Sequence, residues 1–271
     1  FKIFTEQKLL FICLLQSSQK LIMAIAQKVF FEINAKALQC KKQLAILIDP
    51  DKASNEHLIN VCNNANQAQA DLIFVGGSYM NSGNIENCIL EIKKHTTIPV
   101  IIFPGSVMQI SKYADAILFL SLISGRNADL LIGTQVLAAP IIKQAELEPI
   151  ATGYMLVESG NITTAHYLSG SMPIPRKKND LAAGTALAAQ MLGMQCIYMD
   201  AGSGAQQFIP SEMIKAVRSQ IDIPIIVGGG ITTPEIAKQQ CTAGADIVVV
   251  GSAIESDVTL IGKIKSAIDS L

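Results

Sequence analysis

Tyr198-Met199-Asp200-Ala201-Gly202-Ser203-Gly204 closes a short apolar run, Gln195-Cys196-Ile197, with one carboxylate and then a Gly-Ser-Gly turn. It reads as a buried strand opening into a tight loop. Two more glycine turns follow at comparable strand ends, Ile225-Ile226-Val227-Gly228-Gly229-Gly230 and Val248-Val249-Val250-Gly251-Ser252. Glycine lets backbone N–H groups approach an anion closely, and a helix behind such a turn adds a favourable dipole. Three consecutive ends of this kind predict a phosphate cup. The rest of the chain then reads as the scaffold that holds it.

Working outward, continuous apolar runs recur at 44–49, 72–75, 100–103, 116–122, 154–157, 196–199, 225–227 and 247–250. Continuous runs suit parallel strands buried on both faces. Helical stretches such as 56–68, 179–192, 211–220 and 233–243 separate most of them. Eight β/α repeats in a chain of this length predict an α/β TIM barrel. The rival, a doubly wound open sheet, calls for a glycine fingerprint after the first strand. That position holds Asp49-Pro50-Asp51-Lys52 instead. Residues 104–115, after strand three, barely leave room for a helix, so the outer ring is expected to have a gap there. Residues 160–178, after strand five, are long and hold Gly170, Pro173 and Pro175. A long loop on that side of a barrel lies over the catalytic face, so it is read as a lid, with a structural excursion as the plainer alternative.

Composition narrows the function. The chain has 271 residues, half of them hydrophobic and 16% charged, with a net charge of −1. A global basic excess is lacking, which disfavours nucleic acid. Six cysteines (Cys13, Cys40, Cys62, Cys88, Cys196, Cys241) are scattered without CxxC spacing. Reduced thiols and a cytoplasmic setting are the default reading. Three histidines leave little room for a multi-His metal site.

At the N-terminus, Lys8 precedes Leu9-Leu10-Phe11-Ile12-Cys13-Leu14-Leu15. This run is too short to span a bilayer and lacks a clear cleavage site, so an amphipathic or unstructured extension over 1–23 is expected, with Met23 as a candidate natural start. Residues 24–41 show helical spacing, with Ile25, Val29, Phe30, Ile33 and Leu38 on one side. The single barrel domain is expected over 24–271.

In a TIM barrel the chemistry sits at the C-terminal ends of the strands. Those ends carry Asp49 and Asp51, then Gly76, Gly77 and Ser78, then Glu158, Asp200, Gly229 with Gly230, and Gly251 with Ser252. A carboxylate at a dry mouth is costly, and bound Mg²⁺ would offset that cost. Asp49 is the better ligand candidate because it ends its strand directly, whereas Asp51 is a candidate cap for the next helix. Ser78 suits either a metal or phosphate contact or a helix cap. Arg176-Lys177-Lys178 reads as a solvated charge run or a diphosphate clamp, and His166 as a loop surface residue.

LIDPDK (47–52), VGGSYM (75–80), IIFPGS (101–106), YMDAGSG (198–204), VGGGI (227–231) and VVVGSAIE (248–255) together resemble the geranylgeranylglyceryl phosphate synthases, with which the heptaprenylglyceryl phosphate synthases are grouped. The resemblance runs from about residue 24 to the end. It implies a modified TIM barrel whose helix after strand three is short or missing. It implies an Mg²⁺-dependent prenyltransferase joining sn-glycerol 1-phosphate to a prenyl diphosphate. By the same resemblance, Asp49 and Ser78 hold Mg²⁺. Tyr198, Met199, Asp200, Ala201, Gly202, Ser203, Gly204, Gly229, Gly230, Gly251 and Ser252 bind glycerol phosphate. Asp200 is the candidate proton acceptor. Asp200 stands where members often have Glu, and Ser252 where they often have Asn. Geranylgeranyl is the expected donor, heptaprenyl the alternative. Members form dimers or hexamers, and an apolar helix over 124–142 could supply the interface or simply pack on the barrel. Two other classes stay open: a sugar-phosphate isomerase or lyase, which would need Glu158 as a second acid opposite Asp200, and a non-catalytic phosphate-binding barrel.

Overall fold

The computed structural model describes residues 27–271. The expectations for 1–23 and for Ile25 fall outside the described residues. Eight parallel strands close into a barrel in chain order, with the first pairing the last. They are β1 (Gln43–Ile48), β2 (Leu72–Val75), β3 (Val100–Ile102), β4 (Ala116–Leu122), β5 (Glu148–Leu156), β6 (Cys196–Asp200), β7 (Ile225–Gly228) and β8 (Ile247–Val250). Strand side chains alternate between faces, so each run serves two cores. Ala45, Phe74, Ile101, Leu118, Ile150, Tyr198, Ile226 and Val249 fill the inside. Ile46, Ile73, Val100, Ile117, Met155, Met199, Val227 and Val248 pack outward against the helices.

The helices are α1 (Lys28–Leu38), α2 (Asn55–Ala68), α3 (Ile85–His95), α4 (Thr134–Gln144), α5 (Thr164–Ser169), α6 (Asn179–Met191), α7 (Ser211–Arg218), α8 (Pro234–Ala243), α9 (Ser252–Ser256) and α10 (Leu260–Asp269). After β3 there is only the single turn Val107–Gln109, so the gap in the outer ring is real.

Several boundaries differ from the sequence reading. β5 begins at Glu148 rather than residue 154, because β4 recruits Pro149 to Gly153 by pairing although Thr152 and Gly153 interrupt the apolar pattern. The expected helix over 124–142 is shorter: a π-helical turn, Asp129–Gly133, leads into α4. On α1, Val29 and Ile33 are buried but Leu38, at the last position of the helix, is 74% exposed among the described residues. α1 closes the lower end of the barrel, adding Val29 and Ile33 to the inner core.

Its N-terminus is capped from a distance. The Glu148 carboxylate accepts the N–H groups of Val29 at 2.9 Å and Phe30 at 2.8 Å. Burial pushes the Glu148 carboxyl up, and these two N–H groups pull it back only in part. Glu148→Ala is expected to cost about 1–2 kcal/mol, the usual range for a lost cap, read as a lower urea midpoint with an unchanged slope.

Candidate active site

Three turns build the upper rim of the barrel after β6, β7 and β8. Ala201 N–H donates to Gly228 O at 3.0 Å, pinning the first turn to the second. Gly229 has φ +84°, and a Cβ there would lie 2.7 Å from the Gly202 nitrogen. Only glycine admits both that backbone and that approach. Ser203 Oγ lies 3.4 Å from Ser252 Oγ, joining the first turn to the third.

These turns line an open polar cavity, together with Asp49, Asp51, Lys52, Ser78, Phe103, Thr164, Tyr198 and Asp200. Gly202, Ser203, Gly204, Gly229, Gly230, Gly251 and Ser252 all face it. Met199 and Ala201 do not. Both are fully buried in the layer between barrel and helices, because strand alternation turns every second residue outward. Their side chains cannot reach a ligand in this cavity.

Asp200 is 6% exposed. Its Oδ1 accepts the Gly202 N–H at 2.8 Å, and its Oδ2 accepts the Tyr154 hydroxyl at 2.5 Å. Burial pushes the Asp200 carboxyl up; the Tyr154 and Gly202 hydrogen bonds and the nearby His166 ring hold it down in part. Burial and the adjacent carboxylate push the Tyr154 hydroxyl well up, so it stays protonated and donates. The result is a carboxylate with an elevated proton affinity at the cavity wall, suited to accept a proton.

Asp49 follows β1. Its Oδ1 accepts the Asp51 N–H at 3.1 Å, and its Oδ2 lies 3.6 Å from Lys52 Nζ. Lys52 also bridges to Glu255, at 3.1 Å. Asp51 does not cap α2; Ser54 does, accepting the His57 N–H at 3.2 Å. Asp51 instead accepts the N–H groups of Asn81, Ser82 and Gly83, and they hold its carboxyl below the usual range. It organises the loop after β2, which carries Ser78. Gln109 fastens the same loop, donating to Gly77 O at 2.9 Å and accepting the Gly105 N–H at 3.0 Å.

A second, mostly apolar groove runs through the gap after β3. Val107, Ile110, Leu118, Leu130, Ala138, Ile142 and Leu168 are among its walls. It meets the polar cavity at Gly77, Ser78 and Phe103, which line both.

Other residues singled out in the sequence are not brought to the cavity. Glu158 is exposed, and Arg176 folds back on it: its N–H donates to Glu158 Oε2 at 3.3 Å and Nη1 to Glu158 O at 3.0 Å. Neither lines either cavity. His166 is not a surface residue. It is 7% exposed on α5, accepts the Thr163 N–H at Nδ1 over 3.4 Å, and is pushed down by burial. Thr163, close to it on the chain, lies against the Gly202 turn, and the His166 ring is near enough to Asp200 to feel its charge. Two residues were missed. Tyr154 escaped because β5 was read as starting with it, and Phe103 was passed over inside IIFPGS. Period-two counting along β5 is the one signal that turns Tyr154 inward.

The geometry has clear counterparts among known proteins. The PcrB family model matches residues 38–268. A geranylgeranylglyceryl phosphate synthase of Flavobacterium johnsoniae is 50% identical over 235 residues, covering 85% of this chain and 97% of that protein. One of Chitinophaga pinensis is 47% identical over 239 residues, covering 88% and 94%. Among solved structures, (S)-3-O-geranylgeranylglyceryl phosphate synthase of Thermoplasma acidophilum, in complex with its substrate sn-glycerol-1-phosphate, superposes with a TM-score of 0.84. It has 34% identity and covers 89% of this chain and 98% of its own.

Proposed function

The chain belongs to the PcrB family, and from that membership we propose that it joins sn-glycerol 1-phosphate to geranylgeranyl diphosphate, forming an ether and releasing diphosphate on the way to an ether phospholipid. One observation carries this reading. A polar cavity with a glycine-rich cup opens directly into an apolar groove, at Gly77, Ser78 and Phe103. A small phosphorylated polyol suits the first and a prenyl tail the second. The isomerase or lyase reading needs a second acid opposite Asp200, and Glu158 is turned away and paired with Arg176.

In the proposed mechanism, backbone and hydroxyl donors of Ser203, Gly204, Gly229, Gly230, Gly251 and Ser252 hold the phosphate. That binding places the free glycerol hydroxyl near Asp200, and remote binding energy of this kind positions a nucleophile. Tyr154 and the Gly202 N–H fix the orientation of Asp200. Asp200 takes the proton as the hydroxyl oxygen attacks C1 of the donor.

The hard-oxygen donor pair of Asp49 and Ser78 fits Mg²⁺, which accepts one or two protein ligands and completes its shell with phosphate oxygens and water. Among the described residues no group of three His, Cys, Asp or Glu could hold a metal alone, in keeping with an ion shared with substrate. When bound there, Mg²⁺ would supply charge neutralisation for the departing diphosphate.

Relatives named for the geranylgeranyl product favour a twenty-carbon donor over heptaprenyl diphosphate. Ala138→Trp, deep in the groove wall, is expected to shift the kcat/KM ratio from geranylgeranyl toward farnesyl diphosphate. An unchanged ratio would remove Ala138 from the path of the tail. Among the described residues no helix is long and apolar enough to cross a membrane. A cytoplasmic setting is proposed on separate grounds, from cysteines scattered without CxxC spacing. The exposed Ile132, Val136, Leu137 and Ile141 beside and along α4 are assigned to contact with a second copy of the chain.

The acceptor is tested by thermal melting with the two glycerol phosphate enantiomers. The expected result is a higher Tm with sn-glycerol 1-phosphate than with sn-glycerol 3-phosphate at equal concentration. Equal shifts, or none, would contradict the acceptor assignment.

A further inference from the structure

Aromatic rings meet where the polar cavity joins the apolar groove. Phe103 stacks on Tyr198 with centroids 4.8 Å apart and 15° between planes. Tyr154 stands edge-on to both, at 5.9 Å from Phe103 and 5.6 Å from Tyr198. Phe74 lies beneath, 6.4 Å from Phe103. Tyr198 faces the polar cavity, Tyr154 faces the groove, and Phe103 lines both.

This placement bears on the proposed reaction. A donor with its diphosphate in the polar cavity and its tail in the groove has its allylic carbons at the neck. As the C1–O bond lengthens, positive charge spreads over C1 and C3. The face of an aromatic ring carries negative potential and attracts a cation most strongly where water is excluded. Phe103 is the aromatic side chain common to both cavities, and Tyr198 backs it.

We propose that Phe103 is a catalytic residue of the prenyl transfer, its ring stabilising the allylic positive charge in the transition state, with Tyr198 as the positioning residue behind it. This inference rests on the prenyltransferase reading. The step balances without an oxidant or reductant. The C1–O bond to diphosphate breaks with both electrons leaving on diphosphate. A lone pair of the glycerol hydroxyl oxygen forms the new C1–O bond, and the hydroxyl proton passes to Asp200.

The test is the single-turnover rate of prenyl transfer in a series at position 103: phenylalanine, then mono-, di- and trifluorinated phenylalanine, and Phe103→Leu. Fluorine withdraws electron density from the ring face with little change in shape, so a purely structural role would not follow fluorine number. The expected result is a stepwise fall across the series and a loss of about 2- to 30-fold in Phe103→Leu, with the donor KM little changed. A flat series in an active enzyme would overturn the role of Phe103 and leave the prenyltransferase reading intact. A wild-type protein that makes no prenyl product would overturn both.

Discussion

Asp200→Asn is expected to lower kcat for prenyl transfer by about 10²- to 10⁴-fold, the range for losing a positioned proton acceptor. The amide keeps the shape of the side chain and one acceptor for Tyr154 or the Gly202 N–H, but it cannot take the hydroxyl proton. Binding of sn-glycerol 1-phosphate, followed as a rise in Tm, should survive, because the phosphate cup is built from other residues. Full turnover in the variant would sink the role of Asp200. The wild-type pH profile carries a second signature. Burial raises the Asp200 carboxyl above its ordinary value. The active form is the carboxylate, so activity should climb with pH on an acid limb lying above the usual carboxylate range. Tyr154→Phe removes a hydrogen bond that pulls this carboxyl down. The acid limb should then move to still higher pH, and a limb that stays in place would contradict the pairing.

The second large effect is expected at Asp49. Asp49→Asn should reduce kcat by about 10²-fold or more, the scale of charge stabilisation attributed to a catalytic divalent ion. It should also raise the Mg²⁺ concentration needed for half-maximal rate. The amide oxygen can still accept the Asp51 N–H now held by Asp49, so the β1 turn should remain folded. Unchanged Mg²⁺ dependence would remove Asp49 from the metal site, and Ser78 with it.

The barrel was legible because each apolar run is long enough to be a strand and most of them end at Gly or Asp. The acid Asp200 was legible for the same reason: it stands between a buried run and a Gly-Ser-Gly turn. What escaped depends on tertiary placement. Met199 was grouped with Asp200 as part of one motif, yet strand alternation sends it to the outer core; the period of two was there to be counted. Tyr154 touches Asp200 only because β5 pairs with β6 in a register that sets Tyr154 opposite Tyr198. The burial of His166, on a segment whose Thr163 lies against the Gly202 turn, depends on chain about forty residues away that a local reading does not bring together. The missing helix after β3 was visible as a short connection. The walls of the groove it leaves were not, since they come from β4, α4 and α5 as well.

The central claim is prenyl transfer to a glycerol phosphate, and one assay tests it most directly. Purified protein with Mg²⁺ and radiolabelled sn-glycerol 1-phosphate is incubated separately with geranyl, farnesyl, geranylgeranyl and heptaprenyl diphosphates, and lipid-extractable label is counted. The account predicts label in the organic phase, highest with geranylgeranyl diphosphate. Folded protein that transfers no label from any donor would contradict it.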